Sequence, residues 1–489
     1  MSFLRTNQRV ATPVYTGLQL QTSSGAIPIA IVYGINKVAP NILWNGNFQA
    51  QYAGGGKGSA GGKGGGGKGQ SSASSYSTAI VLGLCEGPIG GISAVFDNST
   101  ISPLSNTASL PSPSFFSGAT PQAVWSYLST AYPAAALAYN GTALVVDTDA
   151  SLGSSATLDS YAFEVGGMLA GTGFNGNDAD PALVVQDFLT NAQYGVGFPP
   201  ASIDATTLLG ASGGSSYQTY CKATGLALSP ALISQETANS ILARWLQLTN
   251  TAAVWSGGLL KFIPYGDTAL IGPLYTGGSV GFGTTAASQS YAYVGTTQVQ
   301  VGTCTFTPNV TPVYDLTDDD ILHDDDKDPV QVERSDPYGA SNMQILQISQ
   351  RTNFYDATPI TVFDQNAIER YGLRIAAGVT ASDICDPNVG QTAAQLILQR
   401  GLYIRCHYTF KLSWEYCLLE PMDLVTLTDA ALGLERTTVR ITEIEEDDEG
   451  ILSITAEEFP AGVATGAAYP VQAPSAGAIA ANASPGPVN

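Results

Sequence analysis

Glycine and proline interrupt this chain too often for it to be built on long helices. With 54 Gly and 27 Pro in 489 residues, its apolar stretches are short and bounded by turn residues, which favours strands. Only 12% of the residues are charged, about half the share of about 25% usual in a soluble domain. Such a composition belongs to turn-rich β proteins, often those of extracellular or particle surfaces. The length gives a prior of roughly three domains.

The extreme case of this glycine usage is "GGGKGSAGGKGGGGKG", residues 54–69, which carries Lys57, Lys63 and Lys68 on almost pure glycine. Gly62 to Lys68 fits the first half of a phosphate-binding G-x-x-x-x-G-K loop. That loop needs a Ser or Thr next, for magnesium, and a helix after it. Here Gly69 follows, and then "QSSASSYSTAIVLGLC", which is β-branched and strand-like. Nucleotide binding is therefore set aside. The stretch reads as a mobile insertion between two strands of one β unit.

The net charge of −21, from 19 Lys and Arg against 40 Asp and Glu, argues against wrapping nucleic acid, which requires neutralising phosphates. Six cysteines without any C-x-x-C spacing argue against a metal cluster or a disulfide scaffold, so most are expected in cores. The first residues, "MSFLRTNQRVATPVYTG", lack the apolar core of a secretory signal. No run of 18 uncharged apolar residues occurs to span a membrane.

Along the chain, residues 1–97 read as a β unit holding the glycine loop, and 98–174 as an inserted loop-rich β segment. Residues 175–270 read as an α+β domain. Within it, Asp180 and Pro181 open a helix that Gly195 closes. Ser234 is a candidate cap for a second helix, which puts Ala238, Ile241, Leu242, Trp245 and Leu248 on one face. A hairpin is expected to turn at Ser256-Gly257-Gly258. Residues 271–459 alternate strands with helix candidates at "DQNAIERYGLRI" and "QTAAQLILQRGLYIR", then end on two strands around Asp447 to Gly450. Residues 460–489 form an Ala/Pro-rich tail unable to make a core of its own.

Chemistry is thin. Only His323 and His407 could serve a His-dependent site. His407 neighbours Cys406 on a strand, where adjacent side chains face opposite ways. Asp324, Asp326 and Asp328 open like a calcium loop, but Pro329 stands where glycine must turn and Ser335 where glutamate must bind. An EF-hand is excluded, and a solvated or partner-facing acidic loop over 315–328 is preferred to an irregular divalent-ion site. Trp44, Trp255 and Trp414 sit in apolar context and are expected in cores. No catalytic set, metal site or cofactor is expected.

Four blocks together resemble phage tail-tip and baseplate hub proteins, including those of gene transfer agents. They are "LGLCEGPIGGI", "PALVVQDFLTNAQYGVGFP", the stretch from "YCKATGLALSP" to "LLKFIPYGD", and "YDLTDDDILHDDDKDPVQVERSDP". "YIRCHYTFKLSWEYCLLEPMDLVTLTD" followed by "VRITEIEEDDEGILSITAEEFP" is similar to the baseplate branch.

The resemblance implies a β-rich α+β multidomain protein, with several small barrel- or sandwich-like hub domains and an inserted α/β domain. It implies a non-enzymatic homotrimer at the virion tail tip, assembled in the bacterial host cytoplasm. Its expected partners are the distal tail protein, the tape-measure protein and tip or fibre proteins. DNA passes through the channel without sequence-specific binding. In that setting Lys57, Lys63 and Lys68 are expected at the channel end or in transient contact with the host envelope. Asp318, Asp319, Asp320, Asp324, Asp325 and Asp326 are expected at the lumen or a subunit contact. The sequence carries no fibronectin-like extension after the tail, so other proteins are expected to supply receptor binding. The competing reading is a secreted or surface glycan-binding or glycan-hydrolysing β protein, which needs an export route and two converging acids.

Overall fold

The computed structural model describes residues 28–52, 73–97, 100–158, 160–275, 281–284, 291–294, 300–323 and 328–463. It is a β-rich α+β protein of several domains, and among the described residues no sheet closes into a barrel. The seven helices there are α1 (Ser126–Ala131), α2 (Pro181–Thr190), α3 (Ala205–Leu208), α4 (Tyr217–Thr224), α5 (Ala238–Leu248), α6 (Gln365–Tyr371) and α7 (Pro387–Tyr403).

The strand Ala73–Glu86 shows how alternation builds the first unit. Its residues Ile80, Leu82 and Leu84 face a core shared with Ile92, Val95, Phe163 and Val165. Ala79 and Val81, between them, face a second core with Trp125, Leu128, Leu144 and Val146. The period of two thus divides one strand between two apolar layers. In its sheet the order is Asn41–Tyr52, Ala73–Glu86, Thr142–Ser151, Ser114–Ser117. The neighbouring sheet runs Ile35–Val38, Tyr161–Gly166, Gly91–Asp97, Thr100–Ser102. Strands from both sides of residue 98 therefore share both sheets. Asn41–Tyr52 and Ala73–Glu86 pair antiparallel, with Tyr52 opposite Ala73, so the glycine stretch joins two adjacent strands, as its sequence context implied.

The middle of the chain packs α2, α4 and α5 around the hairpin Thr251–Ser256 and Leu259–Pro264. Gly257 and Gly258 turn it with φ of 58° and 78°, the double positive φ of a type I′ turn that only glycine and a few small polar residues adopt readily. Trp245 fills the centre, with its ring 5.1 Å from Phe188 and 6.3 Å from Tyr33. Two helix boundaries differ from expectation. Asp180 caps α2 as expected, accepting from the Ala182 N–H at 3.0 Å, but α2 ends at Thr190 rather than near Gly195. The chain then folds back, and the Val196 and Phe198 N–H groups bond the carbonyls of Phe188 and Leu189. Gly195 is needed for clearance, since a Cβ there would lie 2.2 Å from the Phe188 carbonyl. The cap of α5 is Thr237, not Ser234, because its hydroxyl lies 3.2 Å from the Ser240 N–H.

The same core continues without a break into the last third, where Leu346, Ile348, Val362, Val389 and Leu398 belong to it. There α7, capped by Asp386, covers a sheet ordered Asp356–Phe363, Met343–Gln350, Val379–Ala381. A seven-stranded sheet follows, with Tyr314–Leu316 parallel to Leu424–Asp429, and then Leu434–Glu446, Leu452–Glu458 and Cys406–Leu412 antiparallel. Ile321–Leu322 and Val330–Arg334 both pair with Cys406–Leu412. Five cysteines are buried and Cys417 is exposed. The tryptophan expectation fails in part. Trp44 is half-buried against Tyr132, but Trp255 and Trp414 are 57% and 56% exposed. Trp255 sits beside the hairpin turn, where Phe198 meets its ring edge-on at 6.2 Å.

The capping assignment can be checked by urea unfolding. Thr237→Ala should cost about 1 kcal/mol, whereas Ser234→Ala should stay within about 0.5 kcal/mol. Equal losses would refute the assignment.

Candidate functional site

The acidic stretch divides into three parts. Asp315 lies opposite Thr426 in the parallel pair, and the Arg436 guanidinium donates to both its carboxylate oxygens, at 2.9 and 2.7 Å. This pair is well exposed, so it contributes at most about 1 kcal/mol. Asp320 accepts from the Tyr416 hydroxyl at 2.6 Å and from the Thr317 N–H and hydroxyl at 2.8 Å. The Tyr416 bond first, and then the Thr317 bonds, hold its carboxyl below the usual aspartate range. Because folding lowers this pKa, the contribution is present above the ordinary aspartate range and is lost as pH falls through the lowered value.

Asp318 and Asp319 are exposed and make no hydrogen bond or ion pair among the described residues. Asp324, Asp325 and Asp326, like Lys57, Lys63 and Lys68, lie outside the described residues. Among the described residues, no three His, Cys, Asp or Glu side chains converge as metal ligands. His323 and His407 are both exposed, while Cys406 is buried on the opposite face of its strand.

The feature that sequence reading missed is a buried polar seam joining three parts of the chain. Arg351 donates through Nη2 to Asp178 and, at 3.0 Å, to the Ile35 carbonyl. Asp178 also accepts from the Ser229 hydroxyl at 2.6 Å, and the Asn36 side-chain amide donates to the Ser229 carbonyl. Burial works against the Arg351 charge, but Asp178 beside it more than offsets this and holds the guanidinium above its ordinary range. Gly34 lets the backbone approach, with φ of +65° and room for no Cβ, which would lie 2.2 Å from Ser229 Oγ. Nearby, Lys37 donates to the Phe354 carbonyl at 2.7 Å and the Tyr355 hydroxyl to Glu164 at 2.9 Å.

On the same seam, Arg244 donates through Nε to the buried Asp383 at 2.7 Å, while its Nη1 reaches Glu236 at 2.6 Å. Burial pushes the Asp383 carboxyl up and Arg244 only partly opposes it. A further cluster ties the hairpin region to the last sheet. Arg400 bonds the buried Glu457 at 3.0 Å and stacks 3.6 Å over Tyr265, with Arg440 on that ring at 5.2 Å. Burial brings the Arg440 guanidinium down to about 10. The partners of these pairs are distant in sequence, so no local pattern announces them. The one available signal was a lone charge at the end of an uncharged stretch, Arg351 after "MQILQISQ".

Two hollows border these clusters. One, of about 640 Å³, is an open groove between α5, the hairpin strand Thr251–Ser256 and α7, with Tyr265 and Arg400 in its wall. The other, of about 180 Å³, lies between Phe262, Phe306, Asp423 and Arg440. Neither His323 nor His407 lines them. What the arrangement does is mechanical: buried, charge-assisted contacts hold units of the chain in fixed relation.

Residues 237–444 match the model of a family described as putative phage tail protein. Among solved structures, a chain from the virion of a native gene transfer agent particle shares the fold, with a TM-score of 0.58 at 15% identity. The match covers 94% of this chain and 91% of that one. The 43 kDa tail protein of prophage MuSo2 from Shewanella oneidensis matches with a TM-score of 0.28 at 12% identity, over 89% of this chain and 99% of that one. A tail protein from Neisseria meningitidis MC58 matches with a TM-score of 0.34 at 11% identity, over 80% and 91%. No curated protein matches. The likeness to phage tail proteins, first read from short sequence blocks, is thus found by independent comparison over residues 237–444.

The seam makes its own prediction. Arg351→Met leaves Asp178 buried without its cation and should cost about 3–5 kcal/mol, while Arg351→Met with Asp178→Leu should recover most of the loss. Urea unfolding read by tryptophan fluorescence reports it, since Trp245 lies in the adjoining core. A single-variant loss below about 1 kcal/mol would remove the seam's role.

Proposed function

We propose that this chain is the structural hub at the distal end of a phage-type tail. In this reading it is a homotrimer that closes the tail tube below the distal tail protein. It surrounds the end of the tape-measure protein and carries tip or fibre proteins. The coarser part, a structural role in a phage-type tail, is carried by the match of residues 237–444 to the phage tail family model. The end-to-end likeness in fold to the gene transfer agent chain supports it. The surplus of 21 negative charges suits a wall past which DNA must slide without sticking. The buried cross-links suit a part that transmits load between its domains.

Within this reading the glycine–lysine stretch has a place. It bridges two paired strands of the first sheet, and three copies would gather nine lysines at one end of a trimer. Such a cluster fits contact with an anionic bacterial surface or the stopper of a channel. Loop length by itself adds little entropic cost, so plain connection is the alternative.

Gold-labelled antibody on particles from a producing culture, viewed by electron microscopy, tests the placement. Label confined to the distal tail tip is expected, and unlabelled particles with the protein free in the medium would overturn it. Deleting residues 54–69 should leave labelled particles intact but lower infectious or transfer titre at least about tenfold; an unchanged titre would reduce the stretch to a connector.

A further inference from the structure

We infer that the groove between α5, the strand Thr251–Ser256 and α7 is the docking site of this chain's own C-terminal segment, residues 464–489. The inference is independent of the tail reading. It begins with where the described chain ends. Phe459 lies against the Arg440 guanidinium, 4.6 Å from ring centroid to cation, and the Val463 N–H donates to Asp267 at 2.8 Å. Asp267 is two residues past Tyr265, which forms the groove wall with Arg400. The segment therefore sets out from the rim of the groove.

The chemistry of the two surfaces matches. Leu242, Leu246, Val254 and Ile397 give the groove apolar walls. Asn239 and Gln247, both exposed, supply side-chain amides among them, suited to the free carbonyls and N–H groups of an extended peptide. At about 640 Å³ it falls within the range of about 300–1,000 Å³ typical of ligand-binding clefts. The groove's cation, Arg400, is already engaged by Glu457, so the site offers no free charge and favours a neutral occupant. Residues 464–489 carry no charged side chain, in a protein that is otherwise strongly acidic.

Tyr469, Pro470 and Val471 are the first bulky side chains of that segment. Six extended residues from Val463 reach roughly 19 Å at about 3.1 Å per residue, enough to carry Tyr469 along the groove. A proline beside an aromatic residue suits docking in the extended, low-entropy conformation that such grooves select.

Two measurements on the full chain test this. A benzophenone amino acid replaces Gln247, on the exposed face of α5, and ¹⁵N-labelled and unlabelled protein are mixed before irradiation. A cross-link to residues 464–489 of the same copy is expected. A cross-link to a second copy's segment, to another protein, or to none would overturn docking within one chain. Independently, Ala243→Glu places a charge at another exposed groove position. Elastase cleavage after Val471 should then accelerate about tenfold, because cleavage tracks the undocked population. Equal cleavage rates in the two proteins, with unchanged circular dichroism, would likewise overturn it.

Discussion

The contact on which the arrangement most depends is the guanidinium of Arg351 held by Asp178 and the Ile35 carbonyl. Asp178 is buried and Arg351 largely so, and the contact joins the sheet that holds Ile35–Val38, the middle of the chain and the last third. Few alternatives could do the same work. A chain with 19 cations commits six of them, Lys222, Arg244, Lys261, Arg351, Arg400 and Arg440, to ion pairs in which neither side chain is more than about a third exposed. Each of these cations takes an acid inward with it, so the pairs fix geometry without altering the surplus of 21 negative charges.

Burying charge is a poor way to gain stability, because desolvation consumes most of the Coulomb energy. It is a good way to fix geometry. A purely apolar interface tolerates sliding, whereas an Arg–Asp pair with Ser229, Asn36 and Gly34 packed around it is satisfied in one register only. The continuous core running from Tyr33 through Trp245 to Leu398 supplies adhesion, and the polar seam supplies alignment.

Much of the local structure was legible because its causes are local. Asp180 accepts from an N–H in the first turn of the helix it opens, and Asp364 does the same at the head of the helix expected at "DQNAIERYGLRI". By contrast, α7 begins at Pro387, four residues before its expected start at Gln391. Gly257-Gly258 turns its hairpin, and the alternation in "YSTAIVLGLC" places alternate residues in two cores. What was illegible has distant causes. Ser234 and Thr237 are equally good caps on paper, and the choice falls to where the preceding chain leaves the strand Ala231–Leu232. Trp255 reads as core until the hairpin is seen to carry it past the edge of its neighbours. Sheet order could not be read either, since Tyr161–Gly166 inserts between strands 35–38 and 91–97. The candidate site fared the same way. The acidic stretch was visible as composition, but only the fold separates Asp315 and Asp320, tied down by Arg436 and Tyr416, from Asp318 and Asp319, which remain exposed.

That division bears on what such a molecule can do. A catalyst concentrates its improbable chemistry in one cleft, where desolvation shifts the pKa of a few groups that face substrate. Here the shifted charged groups face one another: Asp178 holds Arg351 up, burial raises Asp383 beside Arg244, and burial lowers Arg440 beside Glu457 and Tyr265, all at joints between units. Electrostatic work invested at joints is recovered as resistance to displacement. A part that must keep its domains in register while neighbours pull on it has use for that resistance, and an assembly protein of a particle tail is such a part.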